Sequence, residues 1–553
     1  MSNTEGLAAG PRAWLLLGLL VVAGAGPREQ AAPPKLVVML VVDQMRADYL
    51  TRFQSHYTGG FARLMKHGAV FTDAHHEHFF TSTAPGHATI ATGVHPSRHG
   101  IVSNDWWDRT ERKWVYAVDD TAALIVGAPD FPGRSPANLW REGVGDWLKR
   151  QVPESKVYAV ALKDRASIVL GGQHPDGVYW FNPSSGAFVT STYYRASLPD
   201  WVLEFNRSGR VDAHASGVWT RVLAEEMYAE SREDNFPPEN DGIHVTFPHA
   251  LPGYSDSTPP FPGESYYREL IRTPFGDELT LAFVEQLILN EGVGDDAAPD
   301  LLFVSASSAD YIGHRYGPYS QEIQDYYLRF DRALGEFLEF LDEQIGRESY
   351  VVVLSSDHGV LPMPEELLRR GTDARRLDAL DRQELIVTPL LEAMDSLGIN
   401  ANPRVLSLLY GLVMDFPEEA VSEDEMAELR RVTAASILAS NLVADAYAID
   451  DVDLATTDEF RQRHLRSFHP NRASDIIIRF KERYLLYGDF GTTHETPYPY
   501  DTHVPLIVAR PGTASAWYDR RVATVDIAPT LAALLAITAP ADLDGVALRE
   551  IVY

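Results

Sequence analysis

The chain has 553 residues, of which 45% are hydrophobic and 10% aromatic, values typical of a globular protein with roughly two to four units of domain size. The 78 acidic residues outnumber the 48 basic ones and give a formal net charge of −30, which disfavours binding to nucleic acids or anionic membranes. The chain contains no cysteine, which excludes disulfides, thiolate metal ligands and cysteine nucleophiles, so His, Asp and Glu must hold any metal.

The N-terminal segment has the pattern of a secretory signal peptide. Arg12 precedes the apolar run AWLLLGLLVVAGAG, which is about half the length of a membrane span and ends in small residues suited to cleavage. We therefore predict a signal peptide at residues 1–25 and a periplasmic or secreted protein, with an uncleaved N-terminal anchor as the alternative. No later run reaches spanning length, so we expect no stable membrane insertion after cleavage.

Apolar runs that end abruptly in polar residues recur along the chain, and each predicts a buried strand of a parallel sheet. These runs are KLVVMLVVDQMR (35–46), KVYAVALKDR (156–165), PDLLFVSASSAD (299–310) and SYVVVLSSDHG (349–359). Helical stretches such as 319–345 lie between them, and the segments 503–512 and 526–537 complete the pattern. The alternation predicts an α/β fold, with a mostly parallel sheet flanked by helices and ligands bound beyond the carboxyl ends of the strands.

Two stretches interrupt this alternation. Residues 166–290 are rich in Trp, Tyr, Pro and Gly and indicate irregular or hairpin structure, whereas residues 364–475 are mostly polar and helix-forming. We interpret both as insertions that cap one rim of the sheet. The α/β core is then predicted to consist of residues 35–165, 291–363 and 476–553.

Aspartates and histidines cluster at the predicted strand ends and turns. Asp310 and His314 are four residues apart, so in a helical turn they would share one face, which suits a divalent cation. Each such residue alone is compatible with a helix cap or a structural histidine. Together, three aspartates and three histidines suffice for two zinc-like sites; they are Asp43, Asp310, His314, Asp357, His358 and His494.

The segment TSTAPGHATIATG (81–93) places three hydroxyl residues before a predicted helix start. A threonine hydroxyl is a poor nucleophile at neutral pH, but coordination to a dication can convert it to an alkoxide. Two metals about 4 Å apart can stabilise the attacking and leaving oxygens of a phosphoryl group. Thr83, just before the Ala-Pro-Gly turn, is the candidate nucleophile, and the helix N-terminus would favour the phosphate anion.

The motifs taken together resemble those of the alkaline phosphatase superfamily and, within it, the PafA-type threonine-nucleophile alkaline phosphatases. They are VVDQMR, TSTAPGHATIATG, HGIVSNDWWD, LKDR, SSADYIGH, SSDHG and GTTHETPYPYDTHVPL. The resemblance runs from residue 35 to about 510, with a similar tail at 525–548. It implies an alkaline-phosphatase-like fold and a phosphoric monoester hydrolase with two Zn²⁺ ions, which acts on small-molecule phosphate monoesters through a phosphothreonine intermediate.

The resemblance also implies a role for each motif residue. Thr83 is the nucleophile, and Asn104, Lys163 and Arg165 contact phosphoryl oxygens. One zinc is bound by Asp43, Asp357 and His358 together with Thr83, and the other by Asp310, His314 and His494. Glu495 departs from the family pattern, which has a small residue after the ligand histidine, so His503 is the alternative to His494.

Three other functions are considered. A phosphodiesterase of the nucleotide pyrophosphatase type shares the threonine and the asparagine, but Lys163 and Arg165 favour a monoester, whose dianion they can pair. A sulfatase needs an oxidisable Cys or Ser and an arginine, which the stretch 83–87 lacks. A non-catalytic secreted metal-binding protein would lack a ligand or the nucleophile, whereas every expected position is filled.

Two further expectations concern the surface of the protein. We expect a monomer or a weak oligomer without a specific nucleic-acid partner. The tract DAHHEHFF (73–80) is predicted to be a surface turn and not a third metal site.

Overall fold

Twenty β-strands occur in the described residues of the computed structural model, which are 33–253, 262–408, 411–417, 419–510 and 514–552. In chain order these strands are β1 (Leu36–Val42), β2 (Gly68–His75), β3 (Asp105–Asp108), β4 (Lys113–Tyr116), β5 (Ile125–Val126), β6 (Val157–Ala161), β7 (Gly177–Asn182), β8 (Ala187–Ser191), β9 (Val218–Trp219), β10 (His249–Ala250), β11 (Asp300–Ala306), β12 (Tyr350–Ser355), β13 (Arg375–Leu377), β14 (Arg404–Leu408), β15 (Gly411–Asp415), β16 (Val443–Ala448), β17 (Ile476–Phe480), β18 (Tyr484–Leu486), β19 (His503–Ala509) and β20 (Ala516–Ala523).

The same described residues contain nineteen α-helices. In chain order they are α1 (Tyr49–Arg52), α2 (Gly60–His67), α3 (Thr83–Thr92), α4 (Pro96–His99), α5 (Val144–Gln151), α6 (Asp164–Gly171), α7 (Asp200–Arg207), α8 (Glu264–Leu270), α9 (Pro274–Glu291), α10 (Ser308–Tyr316), α11 (Gln321–Leu341), α12 (Pro364–Arg369), α13 (Ala379–Arg382), α14 (Thr388–Leu397), α15 (Glu423–Leu438), α16 (Glu459–Ser467), α17 (Pro499–Thr502), α18 (Ile527–Leu534) and α19 (Arg549–Val552).

A ten-stranded sheet forms the centre of the fold, with the strand order β20-β2-β19-β12-β1-β11-β6-β7-β8-β5. β1 lies in the interior of this sheet and pairs in parallel with both β11 and β12, whereas β19 runs antiparallel to β12 and β2. Every residue of β1 is buried, as expected for a strand covered on both faces. The predicted α/β fold with a mostly parallel, helix-flanked sheet is confirmed.

Alternate residues of β1 pack into two separate hydrophobic cores, because successive strand side chains point to opposite faces. Val38 and Leu40 belong to one core, which also includes residues of α2, α9 and α11. Met39 belongs to the other, together with residues of α3, α5 and α18. The sheet is therefore held between two helical layers, and its strand ends are fixed in position.

Both predicted insertions contain more regular structure than their sequences indicated. In the stretch 166–290, β7 and β8 extend the central sheet and α9 runs for 18 residues. In the stretch 364–475, which was predicted to be helical, β14, β15 and β16 form a four-stranded sheet with β17 in addition to the helices. Aromatic and β-branched residues form strands where a neighbouring strand accepts them. β7 pairs with β6 and β8, and β14 and β15 form a hairpin that pairs with β17. The predicted domain boundaries stay predictions.

The prediction of a surface turn for the histidine-rich tract is wrong. His76 and His78 are fully buried; they directly follow β2, which pairs with β19 on one side and β20 on the other. His76 Nε2 lies 2.9 Å from the Ser356 carbonyl oxygen, and burial lowers the pKa of this ring to about 4. The His76 and His78 rings therefore form part of the core and are uncharged near neutral pH.

The predicted signal peptide, residues 1–25, lies outside the described residues, so the expectation of export stays a prediction. Among the helices that the structure describes, none combines the length and the apolar character needed to cross a membrane.

Candidate active site

The strand ends of the central sheet bring most of the predicted site residues together. Asp43 follows β1, Lys163 follows β6, Asp310 follows β11 in helix α10, and Asp357 follows β12. These four strands are parallel neighbours, so their carboxyl ends meet at one edge, where ligands bind in open α/β sheets. His494 comes from the loop between β18 and α17.

The first ligand group consists of Asp43, Asp357 and His358. All three residues are buried, and one potential ligand atom from each lies within 4.8 Å of the others. Asp43 Oδ1, Asp357 Oδ2 and His358 Nε2 have no hydrogen-bond partner among the described residues, although buried polar atoms are normally paired. His358 Nδ1 is directed at the Gly359 carbonyl oxygen at 2.9 Å, so the ring turns Nε2 towards the group. Three converging atoms without partners suit a cation.

The second ligand group consists of Asp310, His314 and His494, which also lie within 4.8 Å of one another. The Nδ1 atoms of the two histidines face backbone carbonyl oxygens, at 2.8 Å for His314 and 2.7 Å for His494. A carbonyl oxygen only accepts, so each Nδ1 carries the proton and each Nε2 offers a lone pair. Such contacts commonly orient metal-ligating histidines. The two Nε2 atoms lie 3.1 and 3.7 Å from Asp310 Oδ1.

The pKa values of these groups follow from burial and from close charges. Burial and the Asp357 carboxylate raise the pKa of Asp43 well above its usual value. Burial acts to raise the pKa of Asp310 as well, but His314 and Lys163 hold it well below the usual value. Burial, with the neighbouring rings of His358 and His314, lowers the pKa of His494. His494 is therefore neutral at physiological pH, which is the form that binds metals.

Lys163 joins the two ligand groups. Its Nζ lies 2.7 Å from Asp43 Oδ2 and 2.5 Å from Asp310 Oδ2, and it lies 3.5 Å from Thr83 Oγ1. The side chain is 3% exposed. Burial works to lower the pKa of Lys163, but the Asp310 and Asp43 carboxylates raise it overall. The lysine therefore keeps its positive charge inside a cluster of three carboxylates, within reach of the candidate nucleophile.

Thr83 is the first residue of helix α3 and is 1% exposed. Its Oγ1 lies 3.4 Å from Arg165 Nη2. Asn104 Oδ1 accepts a hydrogen bond of 2.9 Å from the backbone N–H of Ala84, so this amide is fixed beside the helix start with its NH₂ group still able to donate. A Cβ on Gly86 would lie 2.3 Å from the Asp357 carbonyl oxygen; the glycine lets α3 approach the first ligand group.

The two hydroxyl residues before Thr83 have other surroundings. Thr81 Oγ1 donates to the Thr496 carbonyl oxygen at 2.9 Å. Ser82 Oγ is buried without a hydrogen-bond partner in the described part of the chain. Of the three hydroxyls, the one on Thr83 lies within reach of both the lysine and the arginine of the site.

A network of side chains orients Arg165. Its Nη1 donates to the Tyr116 hydroxyl at 3.4 Å, and that hydroxyl donates to the Asp164 carboxylate. Arg134 Nε donates to the other oxygen of Asp164 at 2.7 Å. Burial acts to lower the pKa of Arg165, and Tyr116 and its neighbours raise it overall. The guanidinium is thus charged and aimed at Thr83.

Two residues of the site were missed in the sequence. Gln44 has a φ of 65°; its backbone N–H donates to Asp357 Oδ1 at 3.1 Å and its Nε2 donates to Asp310 Oδ1 at 2.6 Å. His87 is fully buried, with Nδ1 2.8 Å from the Thr83 carbonyl oxygen and 3.1 Å from Asp357 Oδ2. The available signals were a polar residue directly after the strand-end aspartate and a histidine one helical turn after Thr83.

Glu495, directly after His494, has an unusual backbone conformation. Its φ is 85°, in the left-handed region that favours glycine. Burial and the Asp105 carboxylate raise the pKa of Glu495 to about 7, although His314 and Arg165 act in the opposite direction.

The alternative ligand His503 lies elsewhere, in a third cluster with Asp73 and His75. Its ring stacks on His75 at 4.6 Å, and its Nε2 lies 2.9 Å from the Thr72 carbonyl oxygen. His75 Nε2 is 2.7 Å from Asp73 Oδ1. Both ring nitrogens of His75 and Nε2 of His503 thus face hydrogen-bond partners, and the structure places His494, not His503, with Asp310 and His314.

Comparisons with known proteins agree with this geometry. The family model for type I phosphodiesterases and nucleotide pyrophosphatases matches residues 37–505. The chain is 35% identical to alkaline phosphatase PafA of Elizabethkingia meningoseptica, covering 98% of this chain and 99% of that protein. It is 32% identical to alkaline phosphatase PhoV of Synechococcus elongatus, covering 95% and 94%.

The fold agrees over the same extent. The crystal structure of wild-type PafA matches with a TM-score of 0.83 and 33% identity, covering 94% of this chain and 99% of that chain. The resemblance found in the sequence motifs is thereby confirmed. The chain belongs to the type I phosphodiesterase/nucleotide pyrophosphatase family, within the alkaline phosphatase superfamily.

Proposed function

We propose that the protein is a secreted metal-dependent alkaline phosphatase that hydrolyses phosphate monoesters through a phosphothreonine at Thr83. Its full-length relatives named alkaline phosphatases and the phosphodiesterase family model support a phosphoric ester hydrolase. The observation that carries the monoester assignment is the position of Lys163 and Arg165, both within 3.5 Å of Thr83 Oγ1.

The donor set fits two divalent cations, which we propose to be Zn²⁺. Asp43, Asp357 and His358 would hold one cation together with Thr83. One side-chain atom of each of the first three residues is buried without a hydrogen-bond partner in the described part of the chain. Asp310, His314 and His494 would hold the other cation. Three carboxylates with one buried lysine leave negative charge for dications to neutralise. When bound, such a pair of ions would activate the threonine hydroxyl and stabilise charge on the attacking and leaving oxygens.

Thr83 would act as a nucleophile at phosphorus. A bond forms between Thr83 Oγ1 and phosphorus while the bond from phosphorus to the ester oxygen breaks; the threonine hydroxyl loses its proton and the departing alcohol gains one. Water then cleaves the phosphothreonine, which releases inorganic phosphate and restores Thr83. The N-terminus of α3, Asn104 and Arg165 would bind the phosphoryl oxygens throughout, because helix starts and guanidinium groups favour such anions.

Charge argues for a monoester. A monoester dianion has three unsubstituted oxygens on which charge is spread, and catalysis depends on positioning and compensating that charge. In a diester one of these oxygens carries a carbon substituent, so the guanidinium of Arg165, which is aimed at Thr83, would be left with an unpaired positive charge, whereas Lys163 keeps its carboxylate partners. A buried unpaired cation costs on the order of several kcal/mol, which suffices for a large preference.

The second candidate function is a nucleotide pyrophosphatase-type diesterase, which the name of the matching family model favours. The deciding experiment measures kcat/KM for an aryl phosphate and for its methyl diester with the purified, metal-loaded protein. We expect the monoester to be preferred by several orders of magnitude. Preference for the diester would assign the protein to the phosphodiesterases. If a chelator left both activities unchanged, the proposed metal site would be wrong.

A further inference from the structure

A cavity of about 300 Å³ adjoins the candidate active site, at the lower end of the range for small-ligand pockets. Asn104 and Trp106 from the core line one side, and Arg472, just before strand β17, lines another. Glu495 also lines it, directly after His494 of the second ligand group. Because Asn104 is a proposed phosphoryl contact, the cavity lies next to the position proposed for a bound phosphoryl group.

Glu495 contributes a carboxylate that nothing else in the site uses. Within the described residues its side chain forms no hydrogen bond; burial and the more distant charges of His314, Asp105 and Arg165 act on it. A non-glycine residue at a φ of 85° carries a backbone cost, and such costs concentrate at functional sites. The carboxylate is therefore available to a positively charged or donor group of a ligand.

Arg472 contributes a positive charge to the same cavity. Its guanidinium stacks 4.4 Å above the Trp106 ring and 4.1 Å above the Trp140 ring, and it donates to the carbonyl oxygens of Gly100 and Asn138. It has no carboxylate partner in the described part of this acidic chain. Burial lowers the pKa of Arg472 to about 10, with only Asp108 opposing it. A fixed guanidinium without a counter-ion is a binding point for a carboxylate.

We propose that the cavity binds a zwitterionic leaving group, so that free O-phosphoserine and related phosphorylated hydroxy-amino acids are preferred substrates. Glu495 pairs with the α-ammonium group and Arg472 with the α-carboxylate. The proposal rests on the monoesterase function. The reaction is the same hydrolysis: the phosphoryl group passes to Thr83 and then to water, and the free hydroxy-amino acid leaves with its oxygen protonated. A phosphoserine inside a peptide lacks both charges and gains neither contact.

The test compares kcat/KM for four esters with the metal-loaded protein. They are O-phosphoserine, phosphoethanolamine without the carboxylate, 3-phosphooxypropionate without the ammonium, and N-acetyl-O-phosphoserine amide without either charge. We expect O-phosphoserine to exceed each of the others by about tenfold or more, the usual effect of losing one charge-assisted hydrogen bond.

Two variants test which side chain pairs with which charge of the substrate. Glu495→Gln is expected to lower kcat/KM for the two ammonium-bearing esters about tenfold relative to 3-phosphooxypropionate. Arg472→Gln is expected to do the same for the two carboxylate-bearing esters relative to phosphoethanolamine. Arg404→Gln is a matched control, because Arg404 also stacks on a tryptophan, Trp107 at 5.5 Å, but lies outside the cavity. If Arg472→Gln does not fold, the same comparison of kcat/KM is made with Arg472→Lys and with the four esters on the wild-type protein.

Equal turnover of the four esters by the wild-type protein, or an equal loss for all four in both variants, would overturn the proposal while leaving the monoesterase intact. Absence of turnover of both O-phosphoserine and an aryl phosphate would overturn the proposed function itself.

Discussion

Gln44 Nε2 donates a hydrogen bond of 2.6 Å to Asp310 Oδ1. The residue that follows Asp43 of the first ligand group thus contacts a carboxylate of the second group. The backbone N–H of the same glutamine donates to Asp357. Gln44 thereby fixes the relative position of the two groups, as hydrogen-bonding partners of metal ligands commonly do.

Gln44→Ala should weaken binding of the divalent cations about 10- to 100-fold with little change in the fold, because only side-chain contacts are removed. Zinc affinity measured by competition with a chelating dye, together with the circular dichroism spectrum, checks this. Gln54→Ala, at an exposed position, is the control. Unchanged zinc affinity in the Gln44 variant would contradict the bridging role.

Metal content distinguishes the two candidate histidines. We expect His494→Ala to retain less zinc than the wild-type protein, because His494 lies with Asp310 and His314. His503→Ala should retain the full two equivalents, because its ring is engaged with Thr72 and His75. Elemental analysis of the purified variants gives the answer, and the reverse result would identify His503 as the ligand.

Covalent catalysis predicts that phosphate can be trapped on Thr83. Thr83→Ala should lose several orders of magnitude in kcat/KM, since the variant lacks the attacking oxygen, whereas Thr83→Ser should retain a measurable rate. Acid quenching during turnover followed by mass spectrometry locates the phosphate. Ser82→Ala is the control, and a phosphate found on Ser82 would refute the assignment.

The ratio of monoester to diester turnover depends on the cations beside Thr83. Replacing Lys163 and Arg165 together by alanine should cripple monoester hydrolysis and leave diester hydrolysis nearly unchanged. Because Lys163 also pairs with Asp43 and Asp310, Arg165→Ala is the cleaner single variant, and the assays need saturating zinc. Equal losses for both substrates would place the selectivity elsewhere.

His99 predicts a loss of stability in acid. It is fully buried, and burial, together with the neighbouring His95 ring and the Arg472 guanidinium, lowers its pKa to about 3, against about 6.5 in an unfolded chain. Between these values the unfolded state binds more protons, so stability is present above pH 6.5 and is lost as the pH falls towards 3. The loss amounts to on the order of 3 kcal/mol by pH 4.5, since one pKa unit is about 1.4 kcal/mol.

The check is urea unfolding with a chelator present, at pH 7.5 and 4.5, so that metal release does not contribute. His99→Asn can keep the acceptor for the Ile101 N–H, which now lies 3.2 Å from His99 Nδ1, and should lose less stability between the two pH values than the wild-type protein. His244→Asn, at an exposed site, should match the wild type. An equal pH dependence in all three would exclude His99 as the cause.

Local patterns in the sequence were sufficient for the central strands and for the identity of the residues at their ends. A buried parallel strand needs a continuous apolar run, and the polar residue that ends it has to lie at the ligand edge, so Asp43 and Asp357 could be found from spacing alone. The role of Gln44 could not be found in this way, because its contacts with both ligand groups depend on a φ of 65° that the amino-acid sequence does not specify. The hairpin of β14 and β15 is local and was missed, whereas the pairing of β15 and β16 with β17 and the burial of His76 depend on partners far along the chain, which no local pattern contains.

The ligand groups also tie together opposite ends of the folded core. Asp43 comes from its first strand, and His494 from a loop that precedes its last two strands. A cation held by the second group joins Asp310 to His494, so it can bind tightly only after the long chain between these two residues has folded, since such distant contacts form late. Metal binding would then stabilise the folded structure after folding is complete. It raises the free energy of unfolding of the whole core in proportion to the logarithm of the free ion concentration.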